Sequence, residues 1–255
     1  MEFSALGMFI FLLAGGVVAG LLSTIASVAS LASYPVLLMA GVPPVFANVT
    51  NDASLIWTGI SSTAASTKEL RGHWRETGFF AIFTVLGSIL GCFLLLAFPG
   101  KVFEKVVPFF IASSGVLILI SGHHHPKAGV KTKPWQKALQ LLLLLGMGAY
   151  SGYFGAAAGV ITIVLLTYLT DNSFLVNNAI KNVIGGLANL VALLIFIFTS
   201  TIYWDKAIPL AIGMFIGGYI GPHLLRHIPV PLVRRLIACL AFVQAGYYFY
   251  TAYFK

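Results

Sequence analysis

Long apolar stretches recur along this chain at a length that few folds can use. They cover residues 5–22, 45–65, 78–98, 106–120, 138–154, 174–199, 207–225 and 232–254. Most reach the roughly 20 residues that a helix needs to cross a bilayer. Open strands cannot cross lipid, because their backbone groups would go unpaired, so the elements are expected to be helices. Two further apolar segments, 23–39 and 155–169, are shorter and rich in small residues. The expected fold is therefore an all-α polytopic membrane protein of about ten elements. Composition agrees: 59% of the 255 residues are hydrophobic and 9% charged, against about 25% charged in a soluble domain. A soluble enzyme, a disulfide scaffold and a disordered binder are excluded. Cys92 and Cys239 both lie in apolar runs, which reads as burial and not as a metal site. The N-terminus lacks a basic leader region, so the first stretch reads as a retained helix.

The formal charge of +8 does not indicate a nucleic-acid partner, because of where the charges sit. Before Lys68 the acids and bases are Glu2 and Asp52 alone. Basic residues then cluster as Lys68, Arg71 and Arg75, as Lys127, Lys131, Lys133 and Lys137, and as Arg226, Arg234 and Arg235. Short basic clusters flanking apolar stretches mark cytoplasmic loops. The polar segment 122–134 divides the chain near its middle, leaving 1–121 and 135–255 on either side.

Those two parts repeat. A shift of 130 superposes Trp74 on Trp204, Ala81 on Ala211, Gly87 on Gly217, Gly91 on Gly221 and Pro99 on Pro229. Shifts of 131 and 132 pair Asn51 with Asn182 and Gly20 with Gly152. The loop charges are reversed between the copies: Lys68, Arg71 and Arg75 precede Trp74, whereas 199–205 has no basic residue. The positive-inside rule then puts equivalent loops on opposite faces. The expectation is two inverted-topology repeats of about five membrane segments each, with both termini outside and the 122–134 linker in the cytoplasm of a cell (inner) membrane protein. Inverted repeats are a common transporter plan, with substrate held near the midplane where they meet.

Two polar strings interrupt the apolar sequence at equivalent places. One runs Phe46-Ala47-Asn48-Val49-Thr50-Asn51-Asp52, the other Asn177-Asn178-Ala179-Ile180-Lys181-Asn182. Helix capping accounts for one or two amides in each, but not for a lysine inside a membrane segment, which costs several kcal/mol unless paired or facing water. Amides, helix starts and one ammonium share the sign that attracts an anion. Asn48, Thr50, Asn51, Asn178, Lys181 and Asn182 are therefore the candidate binding residues, with Ser23, Ser27 and Ser30 as further hydroxyl donors. Asp52 is a candidate ion-pair partner of Lys181 or a coupling-proton site.

Upstream of each string lies a run of small residues: Ser23 to Ser33 before Tyr34-Pro35, and Gly152 to Gly159. Pro35 is expected to break its element, giving broken or re-entrant short helices. Gly87/Gly91 and Gly217/Gly221 have the spacing of helix–helix contacts. His123, His124 and His125 read as a solvated loop. No phosphate loop, nucleophile–base pair or zinc-protease motif occurs, so no enzyme activity, metal or cofactor is expected.

These motifs carry a resemblance. Pro35, Gly41-Val42-Pro43-Pro44 and Ala47 to Asn51 resemble the first-repeat motif of the TauE/SafE sulfite-exporter family. Gly152-Tyr153-Phe154-Gly155 with Asn178 to Asn182 resembles its second-repeat motif, and Trp204, Gly217 to Gly221 and Arg234-Arg235 its closing region. Two departures stand out: Ser27-Val28-Ala29-Ser30 replaces a glycine cluster, and Asp52 stands where a smaller neutral residue is expected. The resemblance implies a secondary transporter exporting sulfite or a small organosulfonate by alternating access. Its partners would be that small anionic substrate and the lipid bilayer, with no nucleic acid. The residues alone leave open a carrier for another small anion such as a carboxylate, a metal-cation carrier, an anion channel, a membrane scaffold, and a homodimeric state.

Overall fold

The computed structural model describes residues 4–98, 100–120, 134–155, 158–225, 227 and 230–254. All regular structure among them is helical. The helices are α1 (Ala5–Ala26), α2 (Ser30–Met39), α3 (Pro44–Ala65), α4 (Thr67–Leu70), α5 (Trp74–Ala97), α6 (Gly100–Ile120), α7 (Pro134–Tyr153), α8 (Ala158–Leu169), α9 (Phe174–Thr199), α10 (Trp204–Leu225) and α11 (Val230–Phe254). The linker reading at 122–134 and the histidines at 123–125 fall outside the described residues, apart from Pro134.

Local chemistry sets the boundaries. Ser4 and Ser173 cap α1 and α9 by accepting from Gly7 N and Val176 N, which occupies backbone donors that have no intrahelical partner. Pro44 starts α3, where its missing N–H costs nothing. Trp74 and Trp204, superposed by the repeat, are each the first residue of their helix.

The molecule is inside-out relative to a soluble protein. Phe198, Trp57, Leu142 and Val243 are exposed, while Asn48, Thr50, Asn51 and Asn177 are fully buried. An apolar exterior and a polar interior suit a lipid surround. Helices α1, α5, α9 and α10 are long and apolar enough to cross a membrane. Helix α3 matches them in length, but its polar string lowers its apolarity.

Glycines draw the bundle together. Helices α1 and α10 run parallel: a Cβ on Gly16 would strike Leu210 O, one on Gly20 Met214 O, and one on Gly221 Thr24 Oγ1. Helices α5 and α7 form a second parallel pair, where Gly87 and Gly91 meet Leu145 O and Ala149 O, while Gly148 and Gly152 meet Thr84 O and Ser88 O. Of the four glycines singled out from sequence spacing, Gly87, Gly91 and Gly217 sit at backbone-to-backbone contacts and Gly221 packs on the Thr24 side chain. Helix α10 continues onto α3, α5 continues onto α9, and α3 crosses α9 at Gly59 and Gly186. Helices α6 and α11 pair antiparallel, with Phe109 on Phe249 and Tyr253 Oη donating to Lys105 O.

The break after α1 departs from expectation. It falls at Ser27, whose φ is 64°, and Pro35 lies inside α2. Proline in a helix leaves the carbonyl four residues earlier without its donor, here Leu31 O. Gln244 Nε2 of α11 donates to that oxygen at 2.7 Å, so the helix continues through the proline. The corresponding break after α7 falls at Gly155, with φ 71°.

Candidate functional site

Between the two breaks lies a cavity of about 90 Å³. A buried water needs on the order of 10–15 Å³ by this measure, so several waters or one small polyatomic ion fit. Ser23 and Ser27 from the end of α1 and Ala29 and Ser30 at the start of α2 line one side. Gly155, Ala158 and Gly159 at the start of α8 line the opposite side. Helix α3 contributes Asp52, Leu55, Thr58, Gly59 and Ser62, and α9 contributes Lys181, Asn182, Gly185, Gly186 and Asn189. From Asp52 to Ser62 the lining runs roughly 15 Å along α3 at 1.5 Å per residue.

The ammonium of Lys181 enters this space 5% exposed. It donates to Ser23 O and Ser27 Oγ, each at 3.0 Å. Both acceptors belong to the end of α1, where the helix dipole is negative, and Ser23 O, which accepts from Ser27 N at 3.1 Å, takes the ammonium as a second donor. Three donors less two bonds leave one N–H for the cavity. The starts of α2 and α8 add the positive ends of two helix dipoles. Gly159 is required at the contact, because a Cβ there would lie 2.7 Å from Ser27 Cβ and 3.1 Å from Lys181 Cδ.

The sequence candidates divide between two roles. Ser23, Ser27, Ser30, Asp52, Lys181 and Asn182 line the cavity. Asn48, Thr50, Asn51 and Asn178 do not. Asn48 Nδ2 donates 3.2 Å to Tyr153 O at the end of α7. Thr50 Oγ1 accepts from Tyr203 N at 3.2 Å. Asn51 is held by Ser33 Oγ at 2.5 Å and donates to Ser30 Oγ at 3.3 Å. Asn178 is buried with Oδ1 unpartnered, away from the cavity. Asn48, Thr50 and Asn51 therefore spend hydrogen bonds on neighbouring segments and not on the cavity.

The suggested Lys181–Asp52 pair is not formed. Among the described residues the ion pairs within 4.0 Å are His73–Glu76 and Lys206–Asp205. Lys181 is drawn to the end of α1, and Asp52 stands in the cavity 3% exposed with Oδ2 unpartnered. Sequence reasoning passed over Thr58, Ser62, Thr84, Ser151 and Thr162 as lining residues. Thr58 and Ser62, with Asp52 and Gly59, share a helical face of α3, a periodicity that could have found them.

A buried polar cavity between broken helices of an all-helical, multi-pass membrane protein is the architecture of a membrane transporter. The chain belongs to the sulfite exporter TauE/SafE family, whose model matches residues 12–248. It is 26% identical to a probable membrane transporter protein of Haemophilus influenzae over 91% of this chain and 90% of the relative. It is 24% identical to the probable membrane transporter protein YfcA of Escherichia coli K12, over 92% and 87%. It is also 29% identical to the probable membrane transporter protein MamO of Paramagnetospirillum magneticum, over 61% of this chain and 28% of that protein. No solved structure matches.

Proposed function

We propose that this protein is a secondary transporter of a small sulfur oxyanion, sulfite or a small organosulfonate, exporting it by alternating access. The observation that carries the reading is the Lys181 ammonium, buried in a cavity that also receives the starts of α2 and α8. A tetrahedral or pyramidal oxyanion would take the spare Lys181 N–H, the hydroxyls of Ser27 and Ser30, and Asn182 Nδ2, which has no other partner. Charge-assisted bonds of this kind contribute about 1.5–3 kcal/mol each.

The two-part organisation is read as inverted repeats, 1–121 and 135–255, with the linker cytoplasmic and both termini outside. The matched seams support this, since α1 lies on α10 as α7 lies on α5. Helices α2 and α8, ten and twelve residues long, are too short to cross about 30 Å of hydrocarbon at 1.5 Å per residue. Residues between repeats can then form one site reached from either face in turn.

The test is a thermal-shift screen of purified protein against sulfite, small sulfonates and carboxylates, followed by flux in proteoliposomes. Sulfur oxyanions should raise the melting temperature and saturate the flux. Lys181→Met should weaken binding about 10- to 100-fold, the equivalent of one or two charged hydrogen bonds, while leaving inserted, folded protein. Wild-type flux in that variant would remove Lys181 from the mechanism, and carboxylate-specific shifts would reassign the substrate.

A further inference from the structure

The cavity holds a second charge-bearing group that anion binding does not use. Asp52 Oδ2 is buried and makes no hydrogen bond, and no basic group lies within 4.0 Å of the carboxylate among the described residues. The residue sits on the α3 face that lines the cavity. Among the described lining residues, Asp52 and Lys181 are the two ionisable ones. Beyond them the thiol of Cys92, on α5, interacts electrostatically with Asp52, and Lys101 and Lys105 of α6 and Tyr150 and Tyr153 of α7 do not line the cavity. The described residues of α1 carry none, Tyr34 of α2 packs instead on Phe154 and Tyr248, and Lys68 and Glu69 of α4 and Asp205, Lys206, Tyr219 and His223 of α10 do not line the cavity.

Isolated buried carboxylates are costly, and a proton removes that cost. With Asp52 ionised, its charge cancels that of Lys181; with Asp52 protonated, the cavity is net positive. We propose that Asp52 is the proton-coupling residue of this transporter: a proton from the aqueous phase adds to its carboxylate as the anion enters, and leaves to the opposite phase as the anion departs. The proposal rests on the anion-site reading above and adds the coupling ion to it. Anion and proton favour each other's binding, since each lowers the cost of the other in a shared low-dielectric space. A monoanion with one proton moves no net charge, so its flux follows the pH gradient and not the membrane potential. Net export then proceeds when the outward anion gradient exceeds the inward proton gradient.

Methanesulfonate is the probe, because its own charge is constant through neutral pH. In proteoliposomes, a one-unit pH gradient should raise its accumulation on the alkaline side about tenfold in the wild type, since one unit is a tenfold proton ratio. Asp52→Asn should lose that response and Asp52→Glu should recover it. An unchanged response in Asp52→Asn, or a response to sodium in place of protons, overturns the proposal. Infrared difference spectra give a readout independent of transport. A protonated-carboxyl C=O band should appear in the wild type and vanish in Asp52→Asn, and its absence in the wild type overturns the proposal. If neither methanesulfonate nor sulfite moves under any gradient, the anion-transport reading fails, and the infrared band alone then decides whether Asp52 binds the proton.

Discussion

The strings at 46–52 and 177–182 occupy equivalent places in sequence and in their helices, yet they have diverged in use. In α3 the amides and hydroxyl are bound to their surroundings: Asn48 to the end of α7, Thr50 to the start of α10, Asn51 to two serines of α2. In α9 two residues of the string, Lys181 and Asn182, face the cavity, with Lys181 reaching the end of α1 and Asn182 Nδ2 unpartnered, while Asn177 and Asn178 do not line it. One feature survives in both. Each string sends a donor to the broken end of the other half's first helix, a neutral amide in one case and an ammonium in the other. The amides and hydroxyl of the first string thus join helices, whereas Asp52 of that string and Lys181 and Asn182 of the second line the cavity.

This contrast can be broken most directly by removing the superposed amides. Asn51→Leu strips partners from Ser33 and Ser30 and should destabilise the protein by about 2–6 kcal/mol, at about 1–3 kcal/mol for each of the two buried groups. Asn182→Leu should leave the unfolding midpoint nearly unchanged while weakening anion binding about tenfold, as loss of one hydrogen bond would. Chemical denaturation in detergent, paired with ligand titration, checks both. The reverse pattern would mean that the roles of the two strings are exchanged.

A smaller loss, about 1–3 kcal/mol, is expected for Gln244→Leu. It leaves Leu31 O unpaired beneath Pro35, and faster amide exchange confined to α2 would report it. If Pro35→Ala restores stability in that background, the pairing of glutamine to proline is established. The smallest effect is expected for Thr50→Val, about 1 kcal/mol from the lost Tyr203 N–H acceptor. Its anion binding should match the wild type, even though Thr50 superposes on Lys181. A tenfold loss of binding would return Thr50 to the site.

Much of the fold was legible because membrane helices obey few rules. Apolar length located the crossings, and glycine spacing located the seams at Gly87, Gly91, Gly217 and Gly221. The site was less legible, for a geometric reason. Successive residues on a helix differ in direction by about 100°, so Asn51 and Asp52 are neighbours in sequence but face α2 and the cavity respectively. Which direction is solvent is decided by partner helices and not by residue type. Pro35 misled for a similar reason, since the donor that rescues its helix lies 213 positions from Leu31. The break instead falls at Ser27, where a left-handed conformation costs an L-residue roughly 1–2 kcal/mol and its hydroxyl meets Lys181.

The glycine seams also set what can move as a body. Glycines join α1 to α10, α10 to α3 and α7 to α5, while α5 meets α9 without one, through Ser88 Oγ donating to Ala188 O. Each set of packed helices therefore draws on both sides of the 122–134 linker, so neither 1–121 nor 135–255 packs as a separate body. The two sets meet where α3 crosses α9, at Gly59 and Gly186, which line the cavity. Displacement there changes the walls facing Lys181 and Asp52 together, and no signal has to travel from a distant hinge.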